Sequence, residues 1–526
     1  MSLRIDKKRQ FKMRKNEKNE DNLGPLQNVV DLDDVDLDEL EQEELEAEEK
    51  EARRKRRFKN IEYKVVSYAF FAMFIALSVF LCRYVAVDSE EVADNSFNAR
   101  IAAIEKDMVR GNIVANNGEV LAGSNVASDG SQTRVYPYSS MFAHVVGYTG
   151  HGKSGLEEQY NTKLITSHVS MIEREKNELN GIKNTGDTLY TTLDVKLQET
   201  AWRGMGMADG AVVCIEPSTG KVLCMMSKPD YNPNEIADTY EEYTTEEGNT
   251  VLLNRATQGL YPPGSTFKIL DTLEYIREGN NKDSYSYNCN GKFTFNGESI
   301  KCYHGSVHHQ VNLKQSFAKS CNGSFANIGT KLDIAQFQKT LDSMLFNTDL
   351  PTDFDFSKST YDLPISATAD QIIQSSIGQG GTLVTPFHEA LIAATICNNG
   401  QLMTPYLVDH IESKNGDLVT TFDHKPYRTL MSPEEAATLT EYMRAVVESG
   451  TGNKLKSAQN YTAYGKTGSA EFKAGSSISH SWFVGFARDE NGKDIALAII
   501  YEKKGSGSEY AVPLAKQLFD AYFSEQ

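Results

Sequence analysis

The chain has 526 residues, of which 40% are apolar, enough for one large hydrophobic core and a smaller module. Its formal net charge of −18 is unevenly distributed, because two basic runs near the N-terminus enclose an acidic one. This alternation argues against nucleic-acid binding, which needs a continuous basic surface. The composition fits a globular protein with polar additions.

Residues 1–60 are predicted to form a charged tail. Residues 4–18 and 53–57 are largely basic, whereas residues 31–51 are almost wholly acidic. Dense charge with low hydrophobicity predicts that the tail is either disordered or singly helical. Leucines among the glutamates between positions 37 and 45 are compatible with an amphipathic helix that docks on a partner. A solvated helix without a partner is the simpler alternative.

The stretch 63–87 is predicted to be a transmembrane helix. Residues 65–82 contain no charged side chain, and the whole stretch is long enough to cross a bilayer. Lys64 and the basic cluster before it predict a cytoplasmic N-terminus, so the remainder of the chain is expected outside the cell membrane. The alternative is a cleaved signal peptide, but a leader of about 60 residues is too long for one.

The exterior part is predicted to contain a small strand-rich pedestal, residues 88–190, and a larger domain, residues 191–526. In the larger domain, apolar runs at 211–215 and 222–226 are joined by a Pro- and Gly-containing turn, which predicts a hairpin. Further strands are predicted near the C-terminus, followed by a helix: 464–472, 482–487, 495–501 and the helix 512–523. This order predicts an α+β fold, in which both ends of the domain build one antiparallel five-stranded sheet with flanking helices and an inserted helical lobe.

Three short motifs carry the chemistry. Ser265 and Lys268 form an S-x-x-K tetrad directly after a Tyr-Pro-Pro-Gly segment, and Ser320-Cys321-Asn322 and Lys466-Thr467-Gly468 follow later. A serine at a helix start and a lysine three residues on share one face, so the amine can act as base for the hydroxyl. Each motif alone occurs by chance in many proteins. The three in this order predict an acyl-transfer site.

Cys289 and Cys302 flank a short segment that predicts two strands around a turn, so their side chains are expected to face each other. An extracellular setting permits a disulfide, and free thiols are the main alternative. Metal binding is a third alternative because His304, His308 and His309 lie nearby. Their spacing fits no closed zinc pattern, so no metal site is expected.

Over residues 110 to 523 or so, the chain resembles a class B penicillin-binding protein. The resemblance rests on the three motifs and on further matching segments, namely 110–113, 117–122, 155–158, 254–256, 378–380, 385–386 and 480–486. One departure is visible in the pedestal. Where the family carries an acidic and then a basic residue, this chain has Val114, Ala115 and Asn116, which leaves the pedestal's internal salt bridges in question.

The resemblance implies the transpeptidase fold of penicillin-binding proteins and a D,D-transpeptidase that cross-links peptidoglycan through an acyl ester on Ser265. Lys268 would be the base, with its pKa lowered by burial and by the second cation, Lys466. Ser320 would bridge the two lysines and relay the proton to the leaving amine. The backbone N–H groups of Ser265 and Ser469 would form the oxyanion hole.

For the substrate, the resemblance implies stem peptides that end in D-Ala-D-Ala, with β-lactams as their mimics. Asn322 would hold an amide of the acyl donor, whereas Lys466, Thr467, Gly468 and Ser469 would bind its terminal carboxylate. No cofactor is expected. The expected partners are the membrane and a glycan polymerase of the SEDS type, with roles in cell elongation or division.

Two alternatives use the same residues differently. A D,D-carboxypeptidase or β-lactamase would resolve the ester with water instead of an amine. A sensor or divisome scaffold would bind β-lactams through Ser265 without catalysis and signal through the acidic tail. The pedestal segments favour the transpeptidase over the hydrolases.

Overall fold

The structure is a computed structural model that describes residues 37–85, 104–422, 425–472 and 478–524. The chain forms two compact units, Met1–Glu90 and Glu91–Gln526. In the first unit a long helix, α1 (Leu37–Arg83), covers the described part of the predicted tail and most of the predicted membrane helix. Within Leu45–Arg83 a window of mean hydropathy 2.4 makes α1 long and apolar enough to cross a membrane. Residues 1–36 of the predicted tail lie outside the described residues.

The second unit contains α-helices and β-strands that alternate along the chain. Its strands are β1 (Met108–Val109), β2 (Ile113–Val114), β3 (Val120–Val126), β4 (Gln132–Val135), β5 (Asn184–Thr185), β6 (Thr188–Thr191), β7 (Gly210–Ile215), β8 (Val222–Lys228), β9 (Tyr287–Cys289), β10 (Lys292–Phe295), β11 (Glu298–Lys301), β12 (His309–Val311), β13 (Gln401–Met403), β14 (Val408–Glu412), β15 (Leu418–Thr421), β16 (Pro426–Thr429), β17 (Thr462–Glu471), β18 (Ser479–Arg488) and β19 (Asp494–Tyr501). Its α-helices are α2 (Ala143–Val146), α3 (Gly155–Gln159), α4 (Asn161–Ile165), α5 (Met171–Leu179), α6 (Val195–Met205), α7 (Ile236–Thr245), α8 (Lys268–Arg277), α9 (Leu313–Ala318), α10 (Asn322–Gly329), α11 (Ile334–Ser343), α12 (Ala369–Ser375), α13 (Pro386–Cys397), α14 (Pro433–Ser449) and α15 (Ala511–Phe523). Short 3₁₀ turns occur at Ser139–Phe142, Gly264–Phe267, Tyr303–Gly305 and Asn453–Ser457.

The predicted five-stranded sheet is confirmed, with strand order β17-β18-β19-β7-β8 and antiparallel pairing throughout. Successive side chains of a strand point to opposite faces. In β7, Val213 and Ile215 therefore join one hydrophobic cluster while Val212 and Cys214 join the other. Both faces are buried, which explains why these strands are continuous apolar runs in the sequence.

Helices cover both faces of this sheet. On one face lies α13, in which every residue is buried, and its nearly uniform apolar composition requires such an environment. On the other face lie α6 and α15, which pack against each other. Together with this face of the sheet they form the second hydrophobic cluster, which contains Val212 and Cys214. The segment between β8 and β17 forms the predicted helical lobe. It is inserted in the sequence between the two sets of strands that build the sheet.

Strand β17 forms one edge of the sheet and lies against the turn Gly264–Phe267. The missing side chain of Gly264 makes this approach possible, because a Cβ there would lie 2.9 Å from the Cβ of Ala470 on β17. Gly264, at φ +57°, donates its N–H to the Gly378 carbonyl at 2.8 Å. A Cβ on Gly378 would lie 2.1 Å from the Gly264 backbone oxygen, so no side chain fits at position 378. The contact between β17 and the turn brings the first motif against the third.

A second sheet, of strand order β15-β14-β6-β2-β3-β4, is built around the pedestal. Strands β14 and β15 come from far along the chain, so this sheet continues across the predicted division at residue 190. A buried ion-pair cluster supports it. The Arg110 and Arg134 Nε atoms each lie 2.6 Å from the Glu157 carboxylate. The pedestal therefore retains internal salt bridges despite its departure at residues 114–116.

Burial opposes ionisation of Glu157, but the Arg134 and Arg110 guanidiniums outweigh it and lower the pKa of this carboxyl. Arg110 also donates to the Glu157 carbonyl at 2.6 Å and to the Asn161 side chain at 2.5 Å. The cluster thus fixes α3 and α4 against the first strands of the pedestal sheet.

Candidate active site

Ser265 and Lys268 meet at the start of α8. Ser265 lies in the 3₁₀ turn Gly264–Phe267, and Lys268 begins the α-helix. Side chains three residues apart eclipse each other in a 3₁₀ turn. The Lys268 Nζ consequently donates a hydrogen bond to the Ser265 Oγ at 3.0 Å. Lys268 is fully buried, whereas Ser265 is half-buried.

The second motif reaches the same lysine from the start of α10. The Lys268 Nζ donates to the Asn322 Oδ1 at 2.8 Å, and to the Ser320 carbonyl and Oγ at 3.0 and 3.2 Å. Ser320 has a left-handed backbone, φ +54°, which turns its hydroxyl and its carbonyl toward one point. The Asn322 Nδ2 donates to the Lys301 carbonyl at 3.0 Å, so one of its two protons remains for a ligand.

The third motif supplies the second cation. From β17, the Lys466 Nζ donates to the Ser320 Oγ at 2.9 Å and to the Thr467 carbonyl at 3.0 Å. The Ser320 hydroxyl is therefore held between two ammonium groups that are far apart in the sequence. The predicted convergence of one alcohol and two amines is present in the fold.

The two lysines lie in an environment that disfavours two positive charges. Burial lowers the pKa of Lys268 to about 8. Burial, and then the neighbouring charge of Lys268, lower the pKa of Lys466 well below its usual range. Both lysines therefore lose their protons more readily than a free lysine does.

The residues that follow Lys466 belong to β17, which is an edge strand of the sheet. The Thr467 Oγ1 lies 2.5 Å from the Thr451 Oγ1. A Cβ on Gly468 would lie 3.0 Å from the Pro263 carbonyl oxygen, so the strand and the first motif are in direct contact. Ser469 is half-buried and pairs with Ser481 of β18. Thr467 and Ser469 thus lie on the strand that packs against the turn holding Ser265.

One contact of the first motif was not foreseen from the sequence. The Thr266 Oγ1 donates to the buried Glu389 carboxyl at 2.6 Å, and burial raises the pKa of Glu389 to about 7. Glu389 is the one carboxyl in the largely apolar helix α13. A lone carboxyl within such a helix is the signal that a buried partner exists.

Cys289 and Cys302 face each other but are free thiols, with their sulfurs 3.6 Å apart. Cys321 and His308 lie beside this pair, and the four donor atoms are all within 4.8 Å of one another. The sequence pointed to Cys289, Cys302 and His308 as neighbours but not to Cys321, which belongs to the second motif. The hairpin of β10 and β11 brings the first two cysteines to it.

Comparisons with known proteins agree with this geometry. Residues 210–520 match the family described as penicillin binding protein transpeptidase domain, and residues 110–189 match the penicillin binding protein A dimerisation domain. The peptidoglycan D,D-transpeptidase PbpA of Mycolicibacterium smegmatis is 32% identical over 461 residues, which cover 81% of this chain and 92% of that protein. The peptidoglycan D,D-transpeptidase MrdA of Acinetobacter baumannii is 28% identical, over 74% of this chain and 66% of that protein.

Solved structures are similar over the same region. The ceftriaxone acyl-enzyme complex of penicillin-binding protein A from M. tuberculosis aligns with a TM-score of 0.72 and 28% identity, covering 79% of this chain and 99% of that one. The D,D-transpeptidase domain of a peptidoglycan glycosyltransferase from Eggerthella lenta aligns with a TM-score of 0.70 and 25% identity, covering 80% and 99%.

Proposed function

The chain belongs to the penicillin-binding protein transpeptidase family, and on that premise we propose that Ser265 is its nucleophile. The protein is a serine-type peptidoglycan D,D-transpeptidase of cell-wall synthesis. The observation that supports Ser265 most directly is the 3.0 Å hydrogen bond from the Lys268 Nζ to its Oγ, in a site where the pKa of that lysine is lowered to about 8.

In the acylation step, neutral Lys268 accepts the Ser265 hydroxyl proton while the oxygen attacks the carbonyl carbon of the penultimate D-Ala. The carbonyl oxygen becomes negative and is stabilised by the backbone N–H groups of Ser265 and Ser469. Collapse of this intermediate breaks the peptide bond. The donor acyl group then remains as an ester on Ser265.

The leaving amine needs a proton, and Ser320 is placed to deliver it. Its hydroxyl lies 3.2 Å from the Lys268 Nζ and 2.9 Å from the Lys466 Nζ. The proton taken from Ser265 passes through Ser320 to the nitrogen of the terminal D-Ala, which departs. In the second half-reaction an amine of another stem peptide attacks the ester, and the same groups act in reverse.

We propose that the donor carboxylate also favours positive charge on Lys466. The carboxylate binds to the hydroxyls of Thr467 and Ser469, on the strand that carries Lys466. A negative charge at this position offsets the cost of burying a protonated Lys466. The free Nδ2 proton of Asn322 binds a carbonyl of the donor.

β-Lactams bind in place of the donor and acylate Ser265 through their ring carbonyl. The acyl-enzyme complexes of the similar M. tuberculosis protein, which include penicillin G and imipenem, support this assignment. We expect a fluorescent penicillin to label the wild-type protein, and Ser265→Ala to abolish the labelling.

The test of cross-linking is a donor stem peptide supplied with and without an amine acceptor. D-Ala release that is coupled to a new amide bond, and that stops in Ser265→Ala, is the expected result. Release at the same rate without an acceptor, and without a cross-linked product, would show a carboxypeptidase instead.

We further propose a topology with α1 in the cell membrane, the N-terminus in the cytoplasm and the catalytic unit outside. The lysines and arginines that precede the apolar part of α1 support this orientation. The exposed positions Glu46 and Met207 provide the test. A membrane-impermeant maleimide should label Met207→Cys in intact cells, and Glu46→Cys only after permeabilisation. The reverse pattern would overturn the orientation.

The division into a tail at 1–60, a membrane helix at 63–87, a pedestal at 88–190 and a catalytic domain at 191–526 remains part of this proposal. So does the partner, a glycan polymerase of the SEDS type, which the family resemblance suggests. Copurification of the full chain with such a polymerase from detergent, lost when α1 is replaced by an unrelated membrane helix, is the expected outcome.

A further inference from the structure

Three sulfurs and one imidazole nitrogen converge directly beside the second motif. The Cys289 Sγ lies 3.6 Å from the Cys302 Sγ and 3.5 Å from the His308 Nδ1, and the Cys302 Sγ lies 3.8 Å from the Cys321 Sγ. All four donor atoms are within 4.8 Å of one another. The three cysteines are buried, whereas His308 is partly exposed.

These distances fit the edges of a tetrahedron around one metal ion. With zinc–sulfur bonds of about 2.3 Å and zinc–nitrogen bonds of about 2.0 Å, neighbouring sulfurs are about 3.8 Å apart and a sulfur and a nitrogen about 3.5 Å. A disulfide would instead need its sulfurs at about 2.0 Å. We propose that Cys289, Cys302, His308 and Cys321 bind a structural zinc ion.

Backbone donors support this assignment. The Gly291 N–H donates to the Cys289 Sγ, and the Ser324 N–H donates to the Cys321 Sγ, each at 3.4 Å. Bonds of this kind stabilise thiolates and orient metal ligands. Simple packing of buried thiols would require neither these donors nor an imidazole nitrogen directed at the sulfurs. The partly exposed His308 gives the ion a route to the site.

The ligands belong to two separate parts of the lobe. Cys289 and Cys302 lie on either side of the hairpin of β10 and β11, whereas Cys321 lies between Ser320 and Asn322 of the catalytic motif. A zinc ion would tie the hairpin to that motif. Binding releases the thiol protons to solvent and changes no oxidation state.

The ion would act as a positioning element for the active site. Four protein ligands close the coordination shell, so no position remains for substrate or water. Ser320 holds a left-handed backbone, which is strained for a residue with a side chain and persists only when its surroundings fix it. The adjacent Cys321 ligand supplies such a constraint. This effect on acylation rests on the proposed role of Ser320, whereas the presence of zinc does not.

The test uses the detergent-solubilised full chain purified without chelators, with metal content measured by mass spectrometry. About one zinc ion per chain is expected, as in closed structural sites. Cys289→Ser and His308→Ala should each weaken zinc binding by at least about tenfold. Cys214→Ser is the matched control, because Cys214 is equally buried but lies in β7. It should retain the metal.

Cobalt(II) exchange into the wild-type protein gives a readout that does not depend on how the variants fold. Tetrahedral thiolate ligation should produce sulfur-to-cobalt charge-transfer absorption together with intense visible bands. Absence of both zinc and the cobalt spectrum would overturn the site. Detection of a Cys289–Cys302 disulfide in the native protein by peptide mass analysis would do the same.

Fluorescent penicillin then separates the two claims. Zinc removal should slow labelling, and zinc addition should restore it. A protein that holds zinc but labels equally fast without it would overturn the positioning role alone. A zinc-loaded protein that is never labelled would count against the proposed function and leave the metal site standing.

Discussion

The proton state of Lys268 gives the sharpest prediction, because it determines how the acylation rate depends on pH. Burial lowers the pKa of this lysine to about 8. With that value, about one-tenth of the base is neutral at pH 7 and about nine-tenths at pH 9, whereas a lysine at its ordinary pKa of about 10.4 would be almost fully protonated at pH 7. The predicted rate rises about tenfold between these two pH values and then levels off.

The assay is the second-order rate of labelling by a fluorescent penicillin, measured from about pH 6 to about pH 10 and corrected for penicillin hydrolysis. An unshifted lysine would instead give a rise of about 100-fold between pH 7 and pH 9, with no plateau near pH 9. That steeper profile would refute the buried base.

Substitution of the base completes this experiment. Lys268→Ala should lower the rate by at least about 10², because a positioned general base contributes about that much or more. Substitution of the exposed Lys456 to alanine, which removes a lysine outside the cleft, is the matched control and should leave the rate unchanged. Near-normal labelling in Lys268→Ala would show that another group accepts the serine proton.

Three further predictions concern the surroundings of the site. Asp271 is buried, and neither of its carboxyl oxygens has a hydrogen-bond partner among the described residues. Burial raises the pKa of this carboxyl well above the usual range, so the folded state binds more protons than the unfolded state. The stability of the wild type relative to Asp271→Asn should therefore fall as pH rises above about 4. Equal pH slopes of the two proteins in chemical denaturation would contradict this. Glu157→Gln should destabilise the pedestal by about 3–5 kcal/mol, because it removes the carboxylate paired with the buried Arg134 and leaves Arg110 only the more distant Glu105 at 3.7 Å, whereas Glu158→Gln, as control, should change the unfolding temperature little. Gly378→Ala should lower both thermal stability and labelling, since its Cβ would meet a backbone oxygen at 2.1 Å; Gly416→Ala has a similar positive φ in open space and should show only the smaller backbone penalty.

Much of the fold could be predicted because its signals are local. The strands β7, β8, β18 and β19 are continuous apolar runs, and a strand buried on both faces needs no polar alternation. The turn between β7 and β8 carries its own Pro and Gly residues. The apolar stretch of α1 is equally visible, since length and composition alone decide whether a helix can cross a bilayer.

The residues proposed to be catalytic could also be identified in the sequence, although the distances between their side chains could not. Ser265 and Lys268 meet through helical spacing, but Ser320 and Lys466 are 146 positions apart and meet only because the lobe folds back on β17. The motifs identified these residues by type and order. Their mutual distances, and the lowered pKa values that follow from burial, depend on packing that no short segment contains.

The sequence by itself determined the strand and helix periodicities, the apolar stretch of α1 and the identity of the three motifs, because each depends on neighbours within a few residues. Only the tertiary structure decided that Glu389 reaches Thr266, that β14 and β15 extend the pedestal sheet, and that Cys321 joins Cys289, Cys302 and His308. Contacts of this kind depend on which surfaces pack together, and that choice is a property of the whole core.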